Sequence, residues 1–189
     1  MLQGRKVAQL GRSELAEYVQ ALVIAVALAL VIIVFLAQAF VVQGSSMEPT
    51  LHNGERLLVD KLSYRFREPQ RGEIVVFKYP ADPSHRYIKR IIGLPGDTVR
   101  ISDGVVYIND TPIEENYTLE PAISDFGQVA VPPDHYFVLG DNRNNSEDSR
   151  YPDVGFVPRN LMVGRAVFVF WPLGRLGLVR VPSLASQLR

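Results

Sequence analysis

Two rhythms of hydrophobic positions divide the chain. From Tyr18 to Met47 no residue is charged, and within that stretch Ala21–Val42 carries a single polar side chain, Gln38. As a helix this run would extend roughly 33 Å, enough to cross a hydrocarbon core about 30 Å thick. Backbone groups in lipid must bond to one another, so the run predicts one transmembrane helix over 21–42. A core helix of a soluble domain seldom stays apolar on every face for about six turns. Ala37-Gln38-Ala39 has the small-x-small form of a removable targeting segment. The apolar run before it, however, is longer than the roughly 7–15 residues such segments use, so a retained anchor is expected. Arg5, Lys6 and Arg12 precede the span, and the next basic residue after it is Arg56. The positive-inside rule then leaves a leader, 1–20, in the cytoplasm and puts 43–189 outside the cell (plasma or inner) membrane, a single-pass arrangement.

Beyond Gln43 the pattern changes to short apolar runs broken by Gly, Pro and Asp. Strands are predicted at Glu55–Asp60, Glu73–Lys78, Arg86–Ile92, Val99–Ile101, Val105–Ile108, Tyr136–Leu139 and Val163–Phe170. Asp103-Gly104 between two of them signals a tight hairpin, because Gly tolerates the positive φ such turns require. Leu94-Pro95-Gly96-Asp97 marks another turn. No segment after residue 50 sustains a long helical repeat, and Asn109–Pro133 reads as a polar, irregular excursion. The fold class expected is mainly β: an N-terminal transmembrane helix followed by an antiparallel sheet system or small barrel.

Composition narrows the chemistry. Twenty basic residues balance twenty acidic ones over 189 positions, so no basic face for nucleic acid is expected. The absence of cysteine excludes disulfides, thiolate metal sites and a cysteine nucleophile. His52, His85 and His135 are isolated and form no metal-ligand spacing; neither a metal nor a cofactor is expected, and nothing points to a histidine base.

Three polar segments remain as candidates. Gly44-Ser45-Ser46-Met47-Glu48-Pro49-Thr50-Leu51 comes directly after the span and puts Ser46 on a non-helical loop, where its hydroxyl can be approached. By itself the segment reads as a plain polar linker leaving the membrane. Strand alternation in Tyr87-Ile88-Lys89-Arg90-Ile91-Ile92 sets Tyr87, Lys89 and Ile91 on one face, with Ile88, Arg90 and Ile92 on the other. A lysine desolvated on such a face loses preference for its charged form and can act as a base for a serine hydroxyl. The competing reading is an edge lysine whose ammonium reaches solvent. Gly140-Asp141-Asn142-Arg143-Asn144-Asn145-Ser146-Glu147-Asp148-Ser149-Arg150 is either a solvated loop or the wall of a site.

Together these segments resemble the ordered signature boxes of bacterial type I signal peptidases: Ser-Met-x-Pro-Thr-Leu, Tyr-Ile-Lys-Arg-x-x-Gly-Leu-Pro-Gly-Asp and Gly-Asp-Asn-Arg-x-Asn-Ser-x-Asp-Ser-Arg. Arg71-Gly72-Glu73-Ile74-Val75-Val76-Phe77 resembles a further box, and the likeness runs to about Trp171. The resemblance implies a membrane-bound serine endopeptidase that removes signal peptides through an acyl-enzyme. Ser46 would be the nucleophile and Lys89 the general base. Ser146 would hold the lysine amine, with Asp141–Arg90 and Asp148–Arg150 as supporting ion pairs. Val42, Gly44, Met47, Leu51, Tyr87 and Ile88 would build pockets for small side chains. The implied partners are exported precursors with a small-x-small cleavage site, and the lipid bilayer. Gly44 stands where proteobacterial relatives carry a serine, which leaves a second oxyanion donor unassigned.

Two other classes fit parts of this pattern. Self-cleaving repressor-type proteases share a Ser/Lys dyad but carry a DNA-binding domain, where this chain has the apolar span. A non-catalytic, membrane-anchored β module binding exported proteins would need neither Ser46 nor Lys89.

Overall fold

A computed structural model describes residues 14–28, 37–182 and 184. The chain divides into two compact units, Met1–Gln38 and Ala39–Arg189. In the first, residues 14–28 are helical with solvent-facing side chains throughout. Among the described residues no helix is long and apolar enough to cross a membrane.

The expected helix over 21–42 is corrected at its C-terminal end. Residues 21–28 are helical and 29–36 lie outside the described residues, but Ala37–Val41 form a strand, β1. The physical reason is that the end of this run has a backbone partner near Glu55. Val42 N–H donates to Glu55 C=O at 2.8 Å and Gly54 N–H to Val42 C=O at 2.9 Å, so no helical bonds are needed to satisfy it. Phe40 and Val42 turn into the core while Val41 faces outward, a period of two. A run apolar at nearly every position conceals that alternation.

The second unit is antiparallel β, as expected. Its larger sheet contains β1, β2 (Arg56–Asp60), β3 (Ile74–Lys78) and β4 (Arg86–Gly93). It is completed by β9 (His135–Leu139), β10 (Val157–Pro158), β11 (Met162–Trp171) and β12 (Gly177–Leu178). The strand order is β1-β2-β11-β3-β4-β9-β10, with β12 also paired to β11. A four-stranded sheet holds β5 (Thr98–Ser102), β6 (Val105–Ile108), β7 (Thr111–Pro112) and β8 (Phe126–Ala130), in the order β7-β6-β5-β8. The seven predicted strands are all present, with every end within one residue of the expected one. Asp103-Gly104 makes the hairpin expected between β5 and β6, with φ of 51° and 77°.

Asn109–Pro133 is not wholly irregular, which corrects the sequence reading. It contains β7 and β8, and Phe126 and Val129 of β8 pack on the core of the small sheet. Gly127 and Gln128 between them weaken the alternation that would reveal the strand. That core joins Ile92, Val99, Ile101, Val106 and Ile108 to Phe137 and Leu139, so the small sheet is packed against β4 and β9. A second core gathers Val42, Met47, Leu51, Leu57, Val59 and Val76 beneath the loop that carries Ser46. The candidate site is thus seated on a packed core rather than on a free loop.

Candidate active site

Ser46 lies in a chain of turns after β1, where Glu48 N–H bonds Ser45 C=O and Leu51 N–H bonds Met47 C=O. Gly44 enters this turn with φ of 86°, a conformation only glycine adopts without strain, and donates its N–H to Asn53 Oδ1 at 2.9 Å. The loop at 140–150 pins the other side. Asn142 N–H donates to Ser46 C=O at 3.1 Å, Asn142 Nδ2 to Ser45 C=O at 3.2 Å, and Asn145 Nδ2 to Ser45 Oγ at 2.9 Å. In the sequence those asparagines read only as loop polarity; their density in Asn142–Asn145 is the available signal.

Lys89 reaches this turn from the middle of β4, where Val75 faces it across β3. Its amine stands 2.7 Å from Ser46 Oγ, and the residue is 4% exposed. No carboxylate contacts the amine among the described residues. Burial pushes the Lys89 ammonium down to about 8, against an opposing pull from the more distant Asp148, Glu147 and Asp141. Tyr87 and Ile91 pack in one cluster nearby, the apolar flank expected from alternation.

Arg90, one residue on, points the other way and meets the opposite fate. It is 1% exposed and pairs with Asp141, Nε to Oδ1 at 2.8 Å and Nη2 to Oδ2 at 2.6 Å. Nη1 donates to Gly72 C=O at 2.8 Å, and the Tyr117 ring covers the guanidinium at 4.2 Å. Thr50 Oγ1 donates to the same carboxylate, which ties the Ser46 turn to the loop at 140–150. Beside this pair Arg143 is bonded to Glu115 and to Gly140 C=O. Glu115 and Tyr117 come from the excursion read as irregular, and nothing in the sequence singles them out.

The second expected pair is also formed. Asp148 binds Arg150 Nε at 2.8 Å and accepts Gly140 N–H at 3.0 Å. Ser146 lies against Gly140. Its hydroxyl is buried without a hydrogen-bond partner among the described residues, so the bond to the Lys89 amine that the resemblance implies is not formed here. Gly140 is where these parts meet. A Cβ added there would fall 2.2 Å from Ser146 Oγ and 2.5 Å from Ser46 C=O. Gly140→Ala is therefore expected to displace the serine turn or the supporting loop. The expected loss in kcat/KM is about 100-fold, the scale of an ångström's misplacement. The accompanying loss of stability is about 1–3 kcal/mol. Steady-state kinetics beside a thermal melt check both, and unaltered kinetics would remove Gly140 from the arrangement.

Above the dyad lies a cleft of about 420 Å³ lined by Val42, Gly44, Tyr87 and Ile88, together with Phe40, Leu57, Val76, Asn145 and Glu147. Met47 and Leu51 are not among the side chains that line this cleft: each is 1% exposed within the core under the turn. They anchor the loop from below because the turn at 46–50 directs them inward. Phe40, Leu57 and Val76 are not singled out in the sequence, since apolar side chains on separate strands carry no local sign of facing one cleft.

Known proteins resemble this chain over most of its length. A family model described as "Signal peptidase, peptidase S26" matches residues 15–171. A probable signal peptidase I-2 of Synechocystis sp. is 52% identical over 164 residues, covering 84% of this chain and 74% of its own. Signal peptidase I of Leptolyngbya laminosa is 46% identical, over 90% of this chain and 86% of that one. The crystal structure of a signal peptidase I from Enterococcus faecalis V583 is similar over 52% of this chain and 97% of that one, at 38% identity and a TM-score of 0.47. A match over most of its length, with identities well above those of unrelated proteins, makes this chain a member of the signal peptidase family, peptidase S26.

Proposed function

We propose that Ser46 is the nucleophile and Lys89 the general base of a serine endopeptidase that removes signal peptides from exported precursor proteins. The observation that carries this assignment is a desolvated amine with no carboxylate contact among the described residues, 2.7 Å from the Ser46 hydroxyl at the foot of an open cleft. The neutral amine takes the Ser46 proton as Oγ attacks the scissile carbonyl, and returns it to the leaving amine. An ester to Ser46 remains. The same amine then takes a proton from water, whose oxygen attacks the ester, and passes it to Ser46 Oγ as that oxygen leaves and the signal peptide's carboxylate is released. The Ser46 N–H is the oxyanion donor in this reading, since Gly44 N–H is engaged by Asn53.

Asp141–Arg90 and Asp148–Arg150 hold the two loops at the dyad, and Ser146 stands beside it. Val42, Gly44, Tyr87 and Ile88 bound the space for small side chains on either side of the variable position. The uncharged sequence ahead of β1 anchors the enzyme. Leu22, Val23, Ile24, Val26 and Leu28 all present apolar surface on its described part. With the leader 1–20 cytoplasmic, 43–189 faces the emerging precursor outside the membrane, and the lipid bilayer is the second partner.

A pH–rate profile tests the base. Below about 8 the Lys89 amine is protonated and cannot accept from Ser46, so kcat/KM on a precursor peptide is expected to rise with pH to a plateau above that value. A limb near 10 instead would mean a solvated lysine and would remove it from the base role.

A further inference from the structure

Glu147 stands between Ser146 and Asp148, yet its carboxylate belongs to neither ion pair. Its Oε2 accepts the Tyr87 hydroxyl at 2.9 Å and its Oε1 accepts the Tyr79 hydroxyl at 3.2 Å. The two rings are stacked, with centroids 4.5 Å apart and planes 9° from parallel. Phe77 meets Tyr87 edge-on at 6.3 Å. On its other side Tyr87 has the Lys89 amine, 5.4 Å from the ring centroid. Tyr87 and Glu147 both line the cleft, and Tyr79, in the connection from β3 to β4, stands behind them.

A tyrosine at the half-exposed edge of a cleft ordinarily exchanges rotamers, because solvent offers its hydroxyl a partner in each of them. Here one carboxylate holds both phenols at once, and the stack lets neither ring move without the other. The ring beside the lysine is thereby fixed as a plane. We propose that Glu147, with Tyr79 behind it, is a positioning residue that holds Tyr87 as a rigid wall of the cleft. In this role it limits the size of the precursor side chains accepted next to Ser46 and Lys89. The proposal rests on the dyad reading above.

A fixed wall rejects a large side chain by steric contact, whereas a wall free to swing out admits it. The full-length enzyme in detergent micelles is given precursor peptides that differ only in carrying Ala or Leu at each of the two small positions. In Glu147→Ala, the Leu-to-Ala ratio of kcat/KM is expected to rise at least about tenfold, the scale on which a pocket discriminates methylene-sized differences. Glu147→Gln keeps an acceptor oxygen for one phenol and an amide for the other, and is expected to retain the wild-type ratio. An unchanged ratio in Glu147→Ala, an equal fall for every peptide, or an equal rise in Glu147→Gln would each overturn the clamp. Failure of the dyad is a separate result: it would show as cleavage of the Ala peptide by Lys89→Arg, which leaves the ratio measurement intact.

Discussion

Cleavage of a precursor by Ser46→Ala is expected to fall to background, and by Lys89→Ala and Lys89→Arg with it. Removing one member of a unit that acts together costs on the order of 10⁵–10⁶ in kcat, because the remaining member has nothing to act on. Arginine does not rescue, since a guanidinium keeps its proton at any working pH. Loss of folding would mimic this result, and Lys89→Met separates the two. Holding the Lys89 ammonium down to about 8 represents about 3 kcal/mol of disfavoured charge. The direction of the pH effect is set by proton binding. Between about 8 and the unfolded value of 10.5 the unfolded chain binds the extra proton, so the wild type gains stability as pH rises through that window. Replacing the amine by an apolar group of similar length is expected to raise the melting temperature at pH 7, with the gain disappearing towards pH 10.5. An inactive Lys89→Met that melts above wild type ties the loss to chemistry. Substantial cleavage by Lys89→Arg would end the lysine-base mechanism.

The second large effect is expected from Asp141→Ala. Arg90 is held at 1% exposure by two bonds to this carboxylate, and its remaining contacts with Gly72 C=O and the Tyr117 ring supply no countercharge. Leaving a buried guanidinium unpaired typically costs about 3–5 kcal/mol, a large share of the roughly 5–15 kcal/mol available to a domain. The expected fall in melting temperature is about 6–20 °C. Arg90→Met combined with Asp141→Ala leaves no buried guanidinium unpaired and is expected to restore part of the stability. Additive losses in that double-mutant cycle would show that the pair is not coupled. Activity should not return with stability, since Thr50 would lose the carboxylate that ties the Ser46 turn to the loop at 140–150.

The sequence is most legible where the information is local. Alternation and turn chemistry place seven strands, and Asp103-Gly104 marks its hairpin because the two residues alone determine the turn. Ser46, Lys89 and the polar run from Gly140 to Arg150 stand out by residue type and order. The faces of Lys89 and Arg90 also come from a period of two. Where periodicity is silent the reading fails: β1 reads as helix because every position in it is apolar or small apart from Gln38, and β8 is hidden by Gly127 and Gln128.

What only the tertiary structure decided concerns partners distant along the chain. Two adjacent cations on one strand are indistinguishable in kind until folding puts a carboxylate from 51 residues away against Arg90 and a serine hydroxyl from 43 residues away against Lys89. Met47 and Leu51 pack in the core instead of lining the cleft above the dyad because the turn at 46–50 rests on a hydrophobic layer drawn from β2, β3 and β11. Glu115, Tyr117, Glu147 and Tyr79 acquire their places in the same way. The sequence by itself determines backbone periods, turn conformations and the inventory of reactive groups, since these depend on neighbours in the chain. Burial, and with it the proton affinity of Lys89, depends on which layers close over a residue, and that is settled when strands far apart in sequence pair.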